Sequence, residues 1–135
     1  MSKPISNTIK GPTEGVGEFV LIESVFKAGA EAMAKKNPEN TPELGIGDDC
    51  ALLKPKEGEL IAITGDMLVS GRHFFADTDP YCLGKKSLAV NLSDLAAMGA
   101  SPLGFTLSLA LPSMDEVWIQ TFAQGLFEGA NQFNC

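Results

Sequence analysis

Apolar residues recur along this chain with two different periods, and the switches between them mark out its elements. From Glu18 to about Lys36, Phe19, Ile22, Phe26, Gly29 and Met33 fall on one stripe, the spacing of an amphipathic helix. Asn37-Pro38 ends it, because a residue before proline is steered out of the helical region. A polar stretch, Glu39 to Glu43, leads to Gly45-Ile46-Gly47-Asp48-Asp49. Cys50-Ala51-Leu52-Leu53 and Leu60-Ile61-Ala62-Ile63-Thr64 are short apolar runs joined through a Pro55/Gly58 turn, and they predict strands. Gly65-Asp66 interrupts the second run before Met67-Leu68-Val69 resumes it. Asp79-Pro80 is a helix start, with Asp79 as cap and proline at the first position. The helix that follows carries Leu88, Leu92 and Leu95 on one stripe and stops near Gly99. Phe105, Leu107, Leu109 and Leu111 alternate with Thr106, Ser108 and Ala110, the pattern of a half-buried strand. Ser113 and Glu116 have capping-box spacing for a last helix whose Trp118, Phe122 and Leu126 face inward. The order helix, strand, strand, helix, strand, helix predicts an α+β domain with helices layered over a sheet.

Composition narrows the class. The chain has 135 residues, enough for one domain with a real core, and its 44% hydrophobic content is that of a globular protein. Residues 1–16 are polar and turn-rich, and a flexible N-terminal segment is expected there, ahead of a domain over 17–135. A net charge of −7 argues against a nucleic-acid or anionic-membrane surface. No apolar run approaches the roughly 20 residues needed to span a bilayer, and the polar start lacks the apolar region of a signal peptide. Cys50, Cys82 and Cys135 are odd in number and far apart, so free thiols in a reducing cytoplasm are expected. The chain stops at Asn134-Cys135 directly after a helix, which reads as a piece of a longer protein.

The candidate chemistry lies in acidic residues placed where apolar segments begin or end. Carboxylates gathered by folding repel one another unless a cation lies between them, and a hard divalent ion with oxygen ligands is the usual answer. Each position has a plain alternative. Asp48-Asp49 is a solvated turn or supplies one ligand. Asp66, breaking an apolar strand, is a bulge facing solvent or a ligand, with Thr64 near enough to add an oxygen. Asn91 and Asp94 are three apart on an Ala- and Leu-rich helix and share a face, which is either a solvent ridge or an inward site. His73, the only histidine, is a structural hydrogen-bonder or a functional group. Lys85-Lys86 is a solvated face or meets phosphate. Two phosphate signatures are absent: Asp79 stands where a P-loop needs its first glycine, and Cys50 where a dinucleotide fingerprint needs its third.

Gly17-Glu18-Phe19, the run Leu44 to Leu53, Asp66-Met67-Leu68-Val69 with Gly71 and His73-Phe74, and above all Leu88 to Ala100 closely resemble the thiamine-monophosphate kinase family. That family belongs to the superfamily of aminoimidazole ribonucleotide synthetase, selenophosphate synthetase and the hydrogenase maturation factor. The resemblance runs from about Gly17 to Cys135. It implies a synthetase-like N-terminal domain with a mixed or antiparallel sheet that pairs into a homodimer, a C-terminal domain lying beyond this chain, and ATP-dependent phosphorylation of thiamine monophosphate to thiamine diphosphate with several Mg²⁺ ions. By motif match, Asp49, Thr64, Asp66 and Asp94 would be metal ligands and His73 would contact thiamine monophosphate; Asp48 is a weaker candidate than Asp49. No catalytic side chain is implied within this segment, since metal clamping and positioning carry most phosphoryl transfer, and the segment alone is expected to be inactive. Gly65 departs from the family, which commonly has a hydroxyl residue there that helps to hold metal. The rival readings are another ATP-dependent member of the superfamily, such as a selenophosphate-synthetase-like enzyme, and a non-catalytic metal-binding or dimerisation module.

Overall fold

The computed structural model describes residues 17–135; the flexible segment expected over residues 1–16 lies outside them. The first helical rod runs as α1 (Glu18–Leu21), a π-helical stretch (Ile22–Lys27) and α2 (Ala28–Lys36), with helical dihedrals kept through both junctions. A π turn inserts a residue, which rotates everything before it by about 100° relative to an uninterrupted α-helix. That rotation changes which side chains meet the core. Phe26 and Met33 pack against it and Leu21 is buried, whereas Phe19 is 84% exposed. The expected stripe is corrected at Phe19, whose place Leu21 takes. A 3-10 turn (Pro38–Asn40) follows the end of the rod at Asn37.

α3 (Pro80–Ala97) begins as the Asp79-Pro80 pair predicts: the Asp79 carboxylate accepts from the Cys82 amide at 3.0 Å. It ends in a Schellman motif. Gly99 takes φ +68°, its amide donates to the Ala96 carbonyl at 3.0 Å, and the Ala100 amide reaches back to Leu95 at 2.9 Å. α4 (Glu116–Gln132) is capped by Asp115, which accepts from the Trp118 amide at 3.0 Å. The expected Ser113–Glu116 box is therefore corrected; Asp115 offers the same local acceptor with a charge that suits the positive end of the helix.

α3 and α4 cross at two glycines. A Cβ added to Gly84 would collide with the Phe122 carbonyl, and one added to Gly125 with the Tyr81 carbonyl. With no side chain between them, the helices meet backbone to backbone. Leu83 and Leu88 from α3 then bury against Phe122, Leu126 and Ala130 from α4, together with Cys135. Trp118 stacks on Phe122 with ring centroids 5.3 Å apart, and Phe127 reaches the other way to Phe26 and Phe105. Burying one such large side chain stabilises by about 1.5–3 kcal/mol, so this helical pair is where the described residues concentrate their stability.

The segments expected as strands (50–53, 60–64, 67–69 and 105–111) form no ladder. Among the described residues β-pairing is limited to isolated bridges joining Leu44 with Leu52, Ile46 with Asp48, and Ser70 with Phe74. Leu60, Ile63 and Met67 are 98%, 90% and 78% exposed. These segments carry no helix, yet the pairing that would make a sheet is not made among the described residues. None of their helices is long and apolar enough to cross a membrane.

Candidate functional site

The chain from Thr64 to His73 runs antiparallel to α3 and is pinned to it at three points. Thr64 Oγ1 donates to Asp94 Oδ2 at 3.1 Å, the Asp66 amide donates to Asn91 Oδ1 at 3.0 Å, and Lys86 Nζ donates to the His73 carbonyl at 2.5 Å. Asn91 is itself oriented by donating to the Ser87 carbonyl at 3.1 Å, one turn back. Lys86, Asn91 and Asp94 lie within an arc of roughly 140° around the helix, while Gly84 and Leu88 turn toward α4. From Lys86 to Asp94 is about 12 Å of axial rise. α3 is thus packed on one side and chemically equipped on the other.

Hydrogen bonds therefore bring Thr64 to Asp94 and the Asp66 backbone to Asn91. Both carboxylates are exposed, so Asp66 interrupts its apolar segment without the cost of a buried charge. All the donors are oxygens, the chemistry of a hard cation rather than of zinc. The Asp94 carboxylate with the Thr64 hydroxyl beside it is oxygen chemistry of the kind Mg²⁺ accepts, and Asp66 is held on the neighbouring turn by its backbone.

Asp49 belongs to a different place. The Leu52 amide donates to the Leu44 carbonyl at 2.8 Å and closes the loop between them, which turns at Gly47, φ +112°. Within it the Asp48 carboxylate accepts from the Asp49 amide at 2.9 Å, so Asp48 is engaged locally. Among the described residues no three His, Cys, Asp or Glu side chains converge closely enough to hold a metal, so Asp49 does not join Asp66 and Asp94 in one cluster. Lys27, from the π-helical stretch, passes beside Gly47, and its Nζ lies 2.7 Å from Glu23. The bond to Glu23 holds the Lys27 amine above its ordinary range.

The two adjacent lysines of α3 part company, since neighbours on a helix point about 100° apart. Lys85 turns to α4, with Nζ 3.2 Å from Glu128 and 5.5 Å from the centre of the Tyr81 ring. Hydrogen bonds from Tyr81 and Lys85 hold the Glu128 carboxyl below the usual range. Lys86 turns the other way, to His73. Its part in the site was missed at the sequence level, where only a solvated pair or a phosphate contact was considered.

The chain belongs to the family of AIR synthase related proteins, whose N-terminal domain matches residues 47–135. Its relatives with curated names include the thiamine-monophosphate kinase of Escherichia coli (strain K12), 48% identical over 118 residues that make up 87% of this chain and 34% of that protein. The thiamine-monophosphate kinase of Methanocaldococcus jannaschii is 37% identical over 93 residues, 67% of this chain and 29% of that protein. A crystal structure of thiamine-monophosphate kinase from Stenotrophomonas maltophilia K279a superposes with a TM-score of 0.68 at 41% identity, covering 88% of this chain and 35% of that one. The chain spans about a third of the length of the curated relatives it matches.

Proposed function

We propose that this chain is the N-terminal part of an ATP-dependent kinase that converts thiamine monophosphate to thiamine diphosphate in the cytoplasm. The observation that carries the reading is the meeting of Thr64 with Asp94 and of Asp66 with Asn91, on a chain 48% identical to a named kinase over 118 residues. Residues 17–135 would supply the groups that hold Mg²⁺ and ATP: Asp94 from α3, Thr64 and Asp66 from the segment pinned to it, and Asp49 from its own loop. Bound Mg²⁺ would neutralise charge on the phosphoryl oxygens. The chain's own contribution is to orient the Asp94 carboxylate by the hydrogen bond from Thr64 and to hold the Asp66 backbone against Asn91. His73 contacts thiamine monophosphate.

The exposed segments 60–64, 67–69 and 105–111 pair with those of a second copy, building the sheet and a homodimer together. Their exposed apolar side chains and unladdered backbones support this, because an uncovered strand is a template for another.

The test is a chimera in which residues 17–135 replace the matching segment of the Escherichia coli kinase. It is expected to turn over ATP with thiamine monophosphate. Asp66→Asn or Asp94→Asn in the chimera is expected to lower kcat by about a hundredfold or more, the scale of losing one preorganised electrostatic contact. Near-normal turnover in either variant removes that residue from the metal set. A folded chimera that binds Mg²⁺ without turnover would favour the non-catalytic module.

A further inference from the structure

His73 is held by its ring and by its backbone. The ring Nδ1 accepts from the Val69 amide at 3.0 Å, while the His73 amide donates to the Val69 carbonyl at 2.9 Å. Gly71, at φ +76°, lets the chain fold back tightly between them, and its amide donates to the Phe74 carbonyl at 2.8 Å. From outside the turn, Lys86 Nζ takes the His73 carbonyl and ties the loop to α3. A backbone amide can only donate, so the ring nitrogen facing Val69 carries a lone pair and no proton. In the neutral ring the proton must then sit on Nε2. His73 is exposed, and no hydrogen-bond partner for Nε2 occurs among the described residues.

We infer that Lys86 is a positioning residue for His73, and that the clasp of Val69, His73 and Lys86 presents the imidazole as a fixed Nε2–H donor to an oxygen of a phosphorylated ligand. A nitrogen that carries its proton cannot ligate a metal, so the clasp gives His73 a role distinct from that of the carboxylates near Asp94. The His73 backbone and the Thr64 side chain both hang from α3, on residues Lys86 and Asp94 that are about 12 Å apart along the helix axis. The identity of the ligand rests on the function proposed above; the tautomer and the role of Lys86 do not.

Because His73 is the only histidine, ¹⁵N-histidine labelling of the chain reports on a single ring. Long-range ¹H–¹⁵N correlation at pH 8 is expected to show the Nε2–H tautomer alone. The Nδ1–H pattern, or the averaged pattern of a free imidazole, overturns the clasp. Lys86→Met keeps the aliphatic stem and removes the donor; it is expected to move the ring toward the averaged pattern while helix content by circular dichroism is retained. An unchanged single tautomer in a folded Lys86→Met chain overturns the role of Lys86. Lys86→Arg retains a donor and is expected to keep the single tautomer, so averaging there counts against the inference even if Lys86→Met does not fold. Thiamine monophosphate titrated with Mg²⁺ is expected to shift Nε2 and its proton while leaving Nδ1 nearly still. No shift at millimolar ligand overturns the ligand assignment and leaves the clasp standing, which separates the two failures.

Discussion

Replacing Gly125 by alanine sets helix propensity and packing against each other with opposite signs. Alanine is favoured over glycine in a helix interior by about 1 kcal/mol, so propensity predicts a stabilised chain. At Gly125, however, the added Cβ would land on the Tyr81 carbonyl, with the carbonyl carbon and Cα of Tyr81 directly behind it. These are backbone atoms in the first turn of α3 and cannot rotate aside, so the helices must move apart. Overpacking of this kind costs typically 1–3 kcal/mol, and the backbone obstacle puts Gly125 at the upper end. The net expectation is a loss of about 2 kcal/mol. With a urea m-value of about 1–3 kcal/mol/M, the unfolding midpoint falls by about 1 M. Trp118, the only tryptophan, is stacked on Phe122 within the same helix pair and reports the transition by fluorescence. Gly129→Ala is the internal control, since its Cβ would meet Leu88 Cδ2 at 3.6 Å, an ordinary contact. There propensity should win and the midpoint should rise. A Gly125→Ala midpoint at or above the wild type would refute the backbone-to-backbone crossing.

Other expectations are quicker to check. Burial pushes the Cys135 thiol up to about 11 from 9.0, whereas Cys50 and Cys82 are exposed. Those two should react promptly with a thiol reagent at pH 8 and Cys135 only on unfolding; three equal rates would contradict its burial. Between the unfolded pKa near 9.0 and the folded value near 11 the folded chain holds the extra proton, so stability falls as pH rises through that window. The fall should be shallower in Cys135→Ala, and identical pH profiles would show the thiol to be irrelevant. If the proposed pairing between copies forms, Ile63→Lys, at a side chain 90% exposed in the single chain, should turn that dimer into a monomer by sedimentation with helix content unchanged; an unaltered mass excludes this edge from the interface. Gly65 has open space where a Cβ would sit, so Gly65→Ser should be tolerated. By calorimetry it should tighten Mg²⁺ binding several-fold, and no change in affinity would mean that the hydroxyl does not reach the ion.

What could be read from the sequence follows from how local each determinant is. α3 was legible at both ends because an Asp-Pro start and a glycine stop act within a few residues. The start of α4 was not, because Ser113 and Asp115 compete for one role and spacing alone cannot rank them. Phe19 was misplaced by the π insertion, an irregularity of the backbone that leaves no trace in hydrophobic periodicity. Alternation predicted strands, but which strand pairs with which is a non-local property, and no ladder forms among the described residues. Thr64, Asp66, Asn91 and Asp94 were legible as polar interruptions in apolar context. Lys86 was not, because its partner is a backbone carbonyl, which every residue carries. The use of Gly84, to admit the backbone of α4, was not legible either, because it depends on a helix more than thirty residues away.

Because Thr64, Asp66 and His73 hang from Asp94, Asn91 and Lys86 in reverse order, α3 acts as a ruler whose graduations are helical residues. Deleting one residue between Lys86 and Asp94 would shorten the span by about 1.5 Å and swing one anchor by about 100° around the axis, out of reach of its partner. Length changes between Leu53 and Leu60 disturb none of these bonds. Homologous chains should therefore vary in length before Leu60 and stay invariant in length from Lys86 to Asp94, whatever residues they carry there.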